Sequence, residues 1–320
     1  MNKKSENLKN ILIIGANGYL GSNLLKYLSK DNENNLSILL NKNNNKIRNF
    51  KNFKNIKVYY DEDTSILGYD TILNKIDIIF YLASIKGKSD YDSIYSENIT
   101  KPVKLAILAD KNKVGKIIYI SSYQVNYLNH KYSDKSSLNN NKLNYRVSKL
   151  ILEKRLSNLT NIDLPVYLIR FPMIVGANME GRLNFLFFLN KYRLPFPFKK
   201  FSYSLRLISI TNVIKILILT ANLKNNKFTI FNFDSKIKFD IKQLVSKISL
   251  FSNIKSYNFY FPSIVINFFL NLLLSKNNIN HLEFHKDRDD TLIKDTMNYF
   301  SLNSDIDLDL KEAVKYYFDK

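Results

Sequence analysis

The chain has 320 residues, 45% hydrophobic and 24% charged, which excludes wholesale disorder and fits one large or two coupled globular domains. It has no Cys and three His, which excludes disulfides, thiolate catalysis, sulfur-ligated zinc and a His-rich metal enzyme. The net charge of +20 rests on 40 Lys and 8 Arg scattered among 43 Asn, and reads as a compositionally biased, solvated surface. No nucleic-acid partner is expected from it, while anionic substrates are compatible with it.

In chain order, the polar opening MNKKSENLKN runs straight into an apolar segment, so no signal peptide is expected and the expected location is cytoplasmic. Short β-rich runs predict strands over residues 11–15, 36–40, 56–60, 76–83, 116–121 and 166–171. Helical patterns fall between them, at 19–30, 91–111 and 143–159. Strands alternating with helices imply crossover units, and hence an α/β, doubly wound parallel sheet covered on both faces. After Phe171 the alternation loosens: Pro172, Pro195 and Pro197 punctuate it, and helices are predicted over 211–223, 240–251 and 263–274.

Three of the eight glycines lie in one heptapeptide, GANGYLG, at Gly15, Gly18 and Gly21. The run follows a predicted strand and opens a predicted helix, the context in which such glycines cradle a pyrophosphate. They permit a tight turn, close approach of backbone N–H groups, and close helix–sheet packing, with the helix N-terminus facing the phosphates. Asn17, Tyr19 and Leu20 belong to the same cofactor-binding loop. This predicts a Rossmann domain over residues 1–170 and a smaller, mixed substrate domain over 171–320, interleaved with it.

An NAD site usually places an acid about 20 residues past the glycines, to accept from the ribose 2′-hydroxyl. Here the second strand ends at Asn41 and Lys42, with no acid over residues 36–46. A carboxylate would repel a 2′-phosphate and Lys42 would attract one, so NADP is favoured, with NAD the alternative.

Tyr-x-x-x-Lys occurs at Tyr127/Lys131, Tyr145/Lys149 and Tyr316/Lys320. Only Tyr145 opens a predicted helix downstream of a Ser that ends a predicted buried strand. Helical i,i+4 spacing puts Tyr145 and Lys149 on one face. A phenol titrating near pH 10 is a poor acid–base group at neutrality, and an adjacent ammonium brings it down.

These features resemble the extended branch of the short-chain dehydrogenase/reductase superfamily. Leu82-Ala83-Ser84 stands where that branch lines the cofactor, and Asn98 matches its Asn-Val-x-Gly-Thr helix, with Lys101-Pro102 replacing Gly-Thr. Glu153, Arg170 and Val175-Gly176 continue the pattern. The resemblance implies that Asp61 or Asp63 lies near the adenine, that Ser122 hydrogen-bonds the reacting oxygen, that Tyr145 is the acid–base, and that Lys149 holds the nicotinamide ribose. Ser121 is the competing serine; the offset to Val125 favours Ser122.

Extended members act most often on nucleotide sugars. Tyr123-Gln124 replaces the Asp-Glu pair of the branch's dehydratases, which argues against dehydration. The stretches at 181–185, 193–197 and 207–213 resemble a subgroup of 4-ketoreductases and 4-epimerases of UDP-linked amino sugars in surface polysaccharide synthesis. By that resemblance Asn184 lies near the diphosphate. Arg206 sits one position from the family's Arg, and Lys86 could reach cofactor, substrate carbonyl or only solvent. Also implied are a nucleotide-sugar ligand and a possible homodimer. The rival readings are a catalytically silent dinucleotide sensor or scaffold and a reductase of a non-sugar carbonyl.

Residues 256–275 carry no charge, long enough for a membrane span. Pro262 shortens the continuous helix, and Asn267 and Asn271 give it a polar edge, so a buried or subunit-facing helix is expected instead.

Overall fold

The computed structural model describes residues 9–30, 34–41, 56–61, 69–86, 89–127, 143–179, 181, 183–196, 204–223, 228–233, 238–257 and 306–319. The chain divides into two compact units, Met1–Phe171 with Ile214–Phe233, and Pro172–Val213 with Asp234–Lys320.

The first unit is built on a seven-stranded sheet. Its strands are β1 (Lys9–Ile14), β2 (Asn34–Asn41), β3 (Ile56–Asp61), β4 (Ile78–Tyr81), β5 (Lys116–Ser122), β6 (Val166–Phe171) and, late in the sequence, β9 (Phe228–Asn232). All pair in parallel, in the order β3-β2-β1-β4-β5-β6-β9. The inner strands are continuous apolar runs because both faces are covered. Leu12, Ile79, Ile117, Tyr119 and Leu168 line one face and pack with Leu105, Ala109, Leu152 and Leu156 from the helices. The order reverses between β1 and β4. The crevice beyond their carboxyl ends is where open α/β sheets receive ligands.

The helices of this unit include α1 (Tyr19–Leu28), α2 (Tyr69–Leu73) and α5 (Tyr145–Ser157). The single helix predicted over 91–111 is three pieces: α3 (Tyr91–Tyr95), a π turn (Ser96–Thr100) and α4 (Lys101–Lys111). Pro102 is the reason, since it has no N–H to offer the Asn98 carbonyl four residues back. The Lys101 N–H reaches back to the Ser96 carbonyl, widening the turn. Most of α7 (Ile210–Asn222) also belongs here, one residue earlier than its predicted span. The edge strand β9 was not predicted: its residues are half-buried or exposed, and only Phe-Thr-Ile-Phe-Asn marks it.

The second unit carries a three-stranded mixed sheet of β7 (Met173–Val175), β8 (Ser204–Ser209) and β10 (Lys238–Asp240). β8 pairs in parallel with β7 and antiparallel with β10. Around it lie α6 (Leu183–Lys191), α8 (Ile241–Ser252) and α9 (Ile306–Phe318). Asp240, predicted as the first residue of α8, is its N-cap, in a capping box closed by Gln243. Of residues 256–275 only Ser256 and Tyr257 are among the described residues, so the predicted helix at 263–274 lies outside them. Among the described residues no helix is long and apolar enough to cross a membrane.

Candidate active site

The glycine loop leaves β1 at Gly15, whose φ of +90° is a conformation that favours glycine. A Cβ there would also lie 2.6 Å from the Ala83 backbone nitrogen, so the exits of β1 and β4 are pressed together. A Cβ on Gly21 would stand 2.2 Å from the Gly15 carbonyl oxygen, which fixes how closely α1 sits on the loop. Gly18 differs: its φ of −74° suits any residue, and it is the exposed N-cap of α1 with no side-chain cap. No acid occupies the first turn of α1. Backbone N–H groups at the helix start are therefore open to an anion. Asn17 in the loop and Tyr19 and Leu20 in the first turn of α1 are half-buried.

The exit of β4 forms the neighbouring wall. The Leu82 N–H donates to the Ile14 carbonyl at 2.8 Å, extending the β1–β4 ladder beyond the strand. Asn98, in the π turn, is 1% exposed. Its Oδ1 accepts from Ser84 Oγ at 3.1 Å and from the Ile85 N–H at 2.8 Å. Its Nδ2 donates to the Ile85 carbonyl at 3.0 Å and to Ser148 Oγ at 3.1 Å. Asn98 thus acts from behind, tying the Leu82–Ala83–Ser84 segment to α5.

At the tip of β2, Asn41 is exposed and is the register partner of Asp61 on β3. An acid absent from the end of β2 therefore stands level with it on the adjacent strand. Lys42 and Asp63 lie outside the described residues.

The reactive face is on α5, whose N-cap Asn144 accepts from the Val147 N–H at 3.1 Å. Tyr145 is the helix's first residue and Lys149 lies one turn on, 3% exposed. Lys149 Nζ donates to the Ile120 carbonyl at 2.9 Å and lies 5.5 Å from the Tyr145 ring centre. Lys86 Nζ lies 5.7 Å from the same ring centre, so two ammonium groups attend one phenol. Burial pushes the Tyr145 phenol above its ordinary range. Burial also pushes the Lys149 ammonium down to about 7; Lys86 adds to the fall and Glu153 opposes it.

The two serines ending β5 part ways. Ser121 Oγ donates to Glu153 Oε1 at 2.5 Å. Ser122, 9% exposed, accepts from the Gln124 N–H at 3.3 Å. Of the competing Tyr-x-x-x-Lys pairs, Tyr127 ends a 3-10 turn and Tyr316 lies in α9 of the second unit. Their lysines lie outside the described residues.

The sequence model of the NAD dependent epimerase/dehydratase family matches residues 11–189, more than half of the chain and all of the site just described. The chain belongs to that family. It is an NAD(P)-dependent enzyme of the short-chain dehydrogenase type. Among curated protein sequences there is no match. Solved structures with the same fold include a UDP-N-acetylglucosamine 4-epimerase from Methanobrevibacter ruminantium M1 in complex with UDP-N-acetylmuramic acid. It is 20% identical, at a TM-score of 0.72 over 98% of this chain and 99% of that one. A UDP-glucuronic acid 4-epimerase from Bacillus cereus, in complex with UDP-glucuronic acid and NAD, is 17% identical, at 0.73 over 97% and 99%. The Bordetella bronchiseptica enzyme WbmF, in complex with NADH, is 17% identical, at 0.72 over 98% and 93%. The NADP expected from the tip of β2 finds no support in these relatives, whose named dinucleotides are NAD and NADH.

The loop of this family member fits such a dinucleotide: a Cβ would fill the cradle at Gly15 and Gly21, and Gly18 leaves the start of α1 open. In the second unit, Asn184 is the second residue of α6, and its Nδ2 donates to the Met179 carbonyl at 3.1 Å. Arg206 is a half-buried inner residue of β8, paired in register with Lys238 of β10.

Two residues that served only as landmarks in the sequence meet beneath the site. Glu153, one turn beyond Lys149, is gripped by Arg170 Nε at 2.9 Å and Nη2 at 2.5 Å. Only Glu153 had a signal in the sequence, as it continues the i,i+4 series of Tyr145 and Lys149; Arg170 reaches it through strand register, as the partner of Ser121.

Proposed function

We propose that this family member is a nucleotide-sugar 4-epimerase or 4-ketoreductase that uses NAD. The first unit is read as the dinucleotide-binding part and the second as the substrate part. The observation that carries the reading is the arrangement on α5. Tyr145 and Lys149 share one face, with Lys149 anchored on the strand that ends in Ser122. A bound dinucleotide supplies a site for the hydride leaving or returning to the sugar carbon. Tyr145 takes the proton of the C4 hydroxyl when a 4-keto sugar forms and returns it when the hydroxyl is restored. The Lys149 ammonium stabilises the phenolate, and Ser122 Oγ holds the reacting oxygen.

The named substrates of the fold relatives, all UDP-linked sugars, support the choice of substrate class. Asp61, the register partner of Asn41, supports NAD as an acidic residue on the strand beside the tip of β2. Asn184 is proposed for the diphosphate and Arg206 for the substrate, and surface polysaccharide synthesis is the proposed role.

The test is a panel of UDP-sugars incubated with the purified protein and NAD(H), products resolved by chromatography. An epimerase interconverts C4 epimers with no net change in NADH; a ketoreductase consumes one NADH for each 4-keto sugar reduced. No turnover of any panel member, with NAD bound, would favour the silent sensor instead.

A further inference from the structure

Lys149 does not face Tyr145 alone. Its ammonium has a like charge, Lys86, on one side of the phenol, and a carboxylate, Glu153, one helical turn behind. Glu153 is 3% exposed and its carboxylate is fully engaged: Oε1 accepts from Ser121 Oγ and Arg170 Nε, and Oε2 from Arg170 Nη2. Arg170 Nη1 donates to Asn126 Oδ1 at 2.5 Å, and Asn126 Nδ2 donates to Asn232 Oδ1 at 3.0 Å. One network therefore joins α5 to β5, β6, β9 and the turn after β5.

Several of the other charged and titratable groups on α5 and on the elements packed against it are engaged elsewhere. Glu97 pairs with Lys101 at 2.5 Å, Arg155 Nη2 meets the Tyr95 hydroxyl, and the Tyr119 hydroxyl donates to the Pro102 carbonyl at 2.7 Å. A buried ion pair seldom stabilises a fold over apolar residues of the same shape. Its place directly under the reactive pair asks for another reason. Accordingly, and resting on the reading of Lys149 given above, we propose that Glu153 is a positioning residue. Clamped by Arg170 and Ser121, it locks α5 onto β5 and β6 and supplies the negative charge that offsets Lys86 at Lys149. Burial and Lys86 both work against the Lys149 ammonium, and Glu153 is the charge that works for it.

The test needs neither substrate nor cofactor. Trace acetylation with acetic anhydride across pH, read at the Lys149 peptide by mass spectrometry, gives the titration midpoint of that amine. In Glu153→Gln, which keeps the shape and removes the charge, the midpoint falls, by about one pH unit. In Glu153→Asp, which keeps the charge and shortens the reach to Arg170, the melting temperature falls while the midpoint stays closer to the parent's than to that of Glu153→Gln. Should Glu153→Gln alone not fold, Glu153→Gln with Arg170→Met removes both members of the ion pair and strands neither, and a lowered midpoint is again expected. A midpoint in the folded Gln variant, single or double, equal to the parent's would overturn the proposal. Where turnover is found, the basic limb of kcat/KM in Glu153→Gln moves to lower pH, whereas a purely structural role would lower kcat at every pH. Absence of turnover in the parent would defeat the functional reading and leave the labelling result standing.

Discussion

Between Gly15 and Gly21 the chain makes its site by omission: two missing Cβ atoms let α1 and the β4 exit close on the loop, and a third position is left open. Along α5 the site is made by crowding. A phenol, two ammonium groups and a clamped carboxylate lie within a few turns of one helix and the strands beneath it. The first region is held by backbone, so it fails when atoms are added. The second is held by charge balance, so it fails when a group is removed or its charge is changed.

Tyr145→Phe should give the largest effect on chemistry, a loss of about 10²–10⁴ in turnover, since it removes the proton carrier and leaves the cradle untouched. NADH affinity, followed by cofactor fluorescence, is expected to stay at the parent's value. Turnover within about tenfold of the parent would place the acid–base elsewhere.

Next come two additions of the same atoms. Gly21→Val forces atoms against the Gly15 carbonyl and should lose both cooperative melting and NADH binding. Gly18→Val meets that oxygen only at 3.3 Å, at an exposed position with an ordinary φ. It should fold, with a melting temperature near the parent's, yet bind no NADH because the open start of α1 is covered. Equal melting curves for the two variants would contradict the distinction drawn between these glycines.

Asn98→Ala tests the seam between the two regions. It strands the partners of the buried amide at Ser84, Ile85 and Ser148, for a loss of about 1–3 kcal/mol in thermal or denaturant unfolding. NADH binding should weaken without being abolished, because the wall it supports is displaced rather than blocked.

What could be read from the sequence follows the same division. The inner strands were legible because burial on both faces writes them as unbroken apolar runs. Edge strand β9 and the three-residue strands β7 and β10 carry no such run. The π turn was hidden because one extra residue in a helix barely alters the apolar periodicity; Pro102 was its one visible sign. In the site, GANGYLG and the Tyr145–Lys149 spacing are local patterns, set within single turns of chain. Lys86, Arg170 and Asn126 reach the same place from separate elements, and no spacing in the sequence relates Lys86 to Tyr145. Their meeting follows from strand order, which only the folded sheet supplies.

Lys86 gives the smallest expected effect and the finest test of the crowded region. Its side chain is exposed, so water and salt screen its charge, yet it stands over the ring that Lys149 also faces. After burial it is the next cause of the fall in Lys149 to about 7. Lys86→Met removes a like charge, so the Lys149 midpoint must rise, and at any pH above 7 more of the enzyme holds the ammonium form. The basic limb of kcat/KM should therefore extend to higher pH, by less than about one unit, and the gain should shrink as salt is added. This is opposite in sign to the shift expected for Glu153→Gln, which makes the two variants a matched pair. If Lys86 instead serves as a direct contact to the sugar or its diphosphate, Lys86→Met raises KM and leaves the limb where it was. A limb that moves with KM constant assigns Lys86 to the electrostatics of the Tyr145–Lys149 pair, and a limb that moves to lower pH contradicts the two-cation arrangement itself.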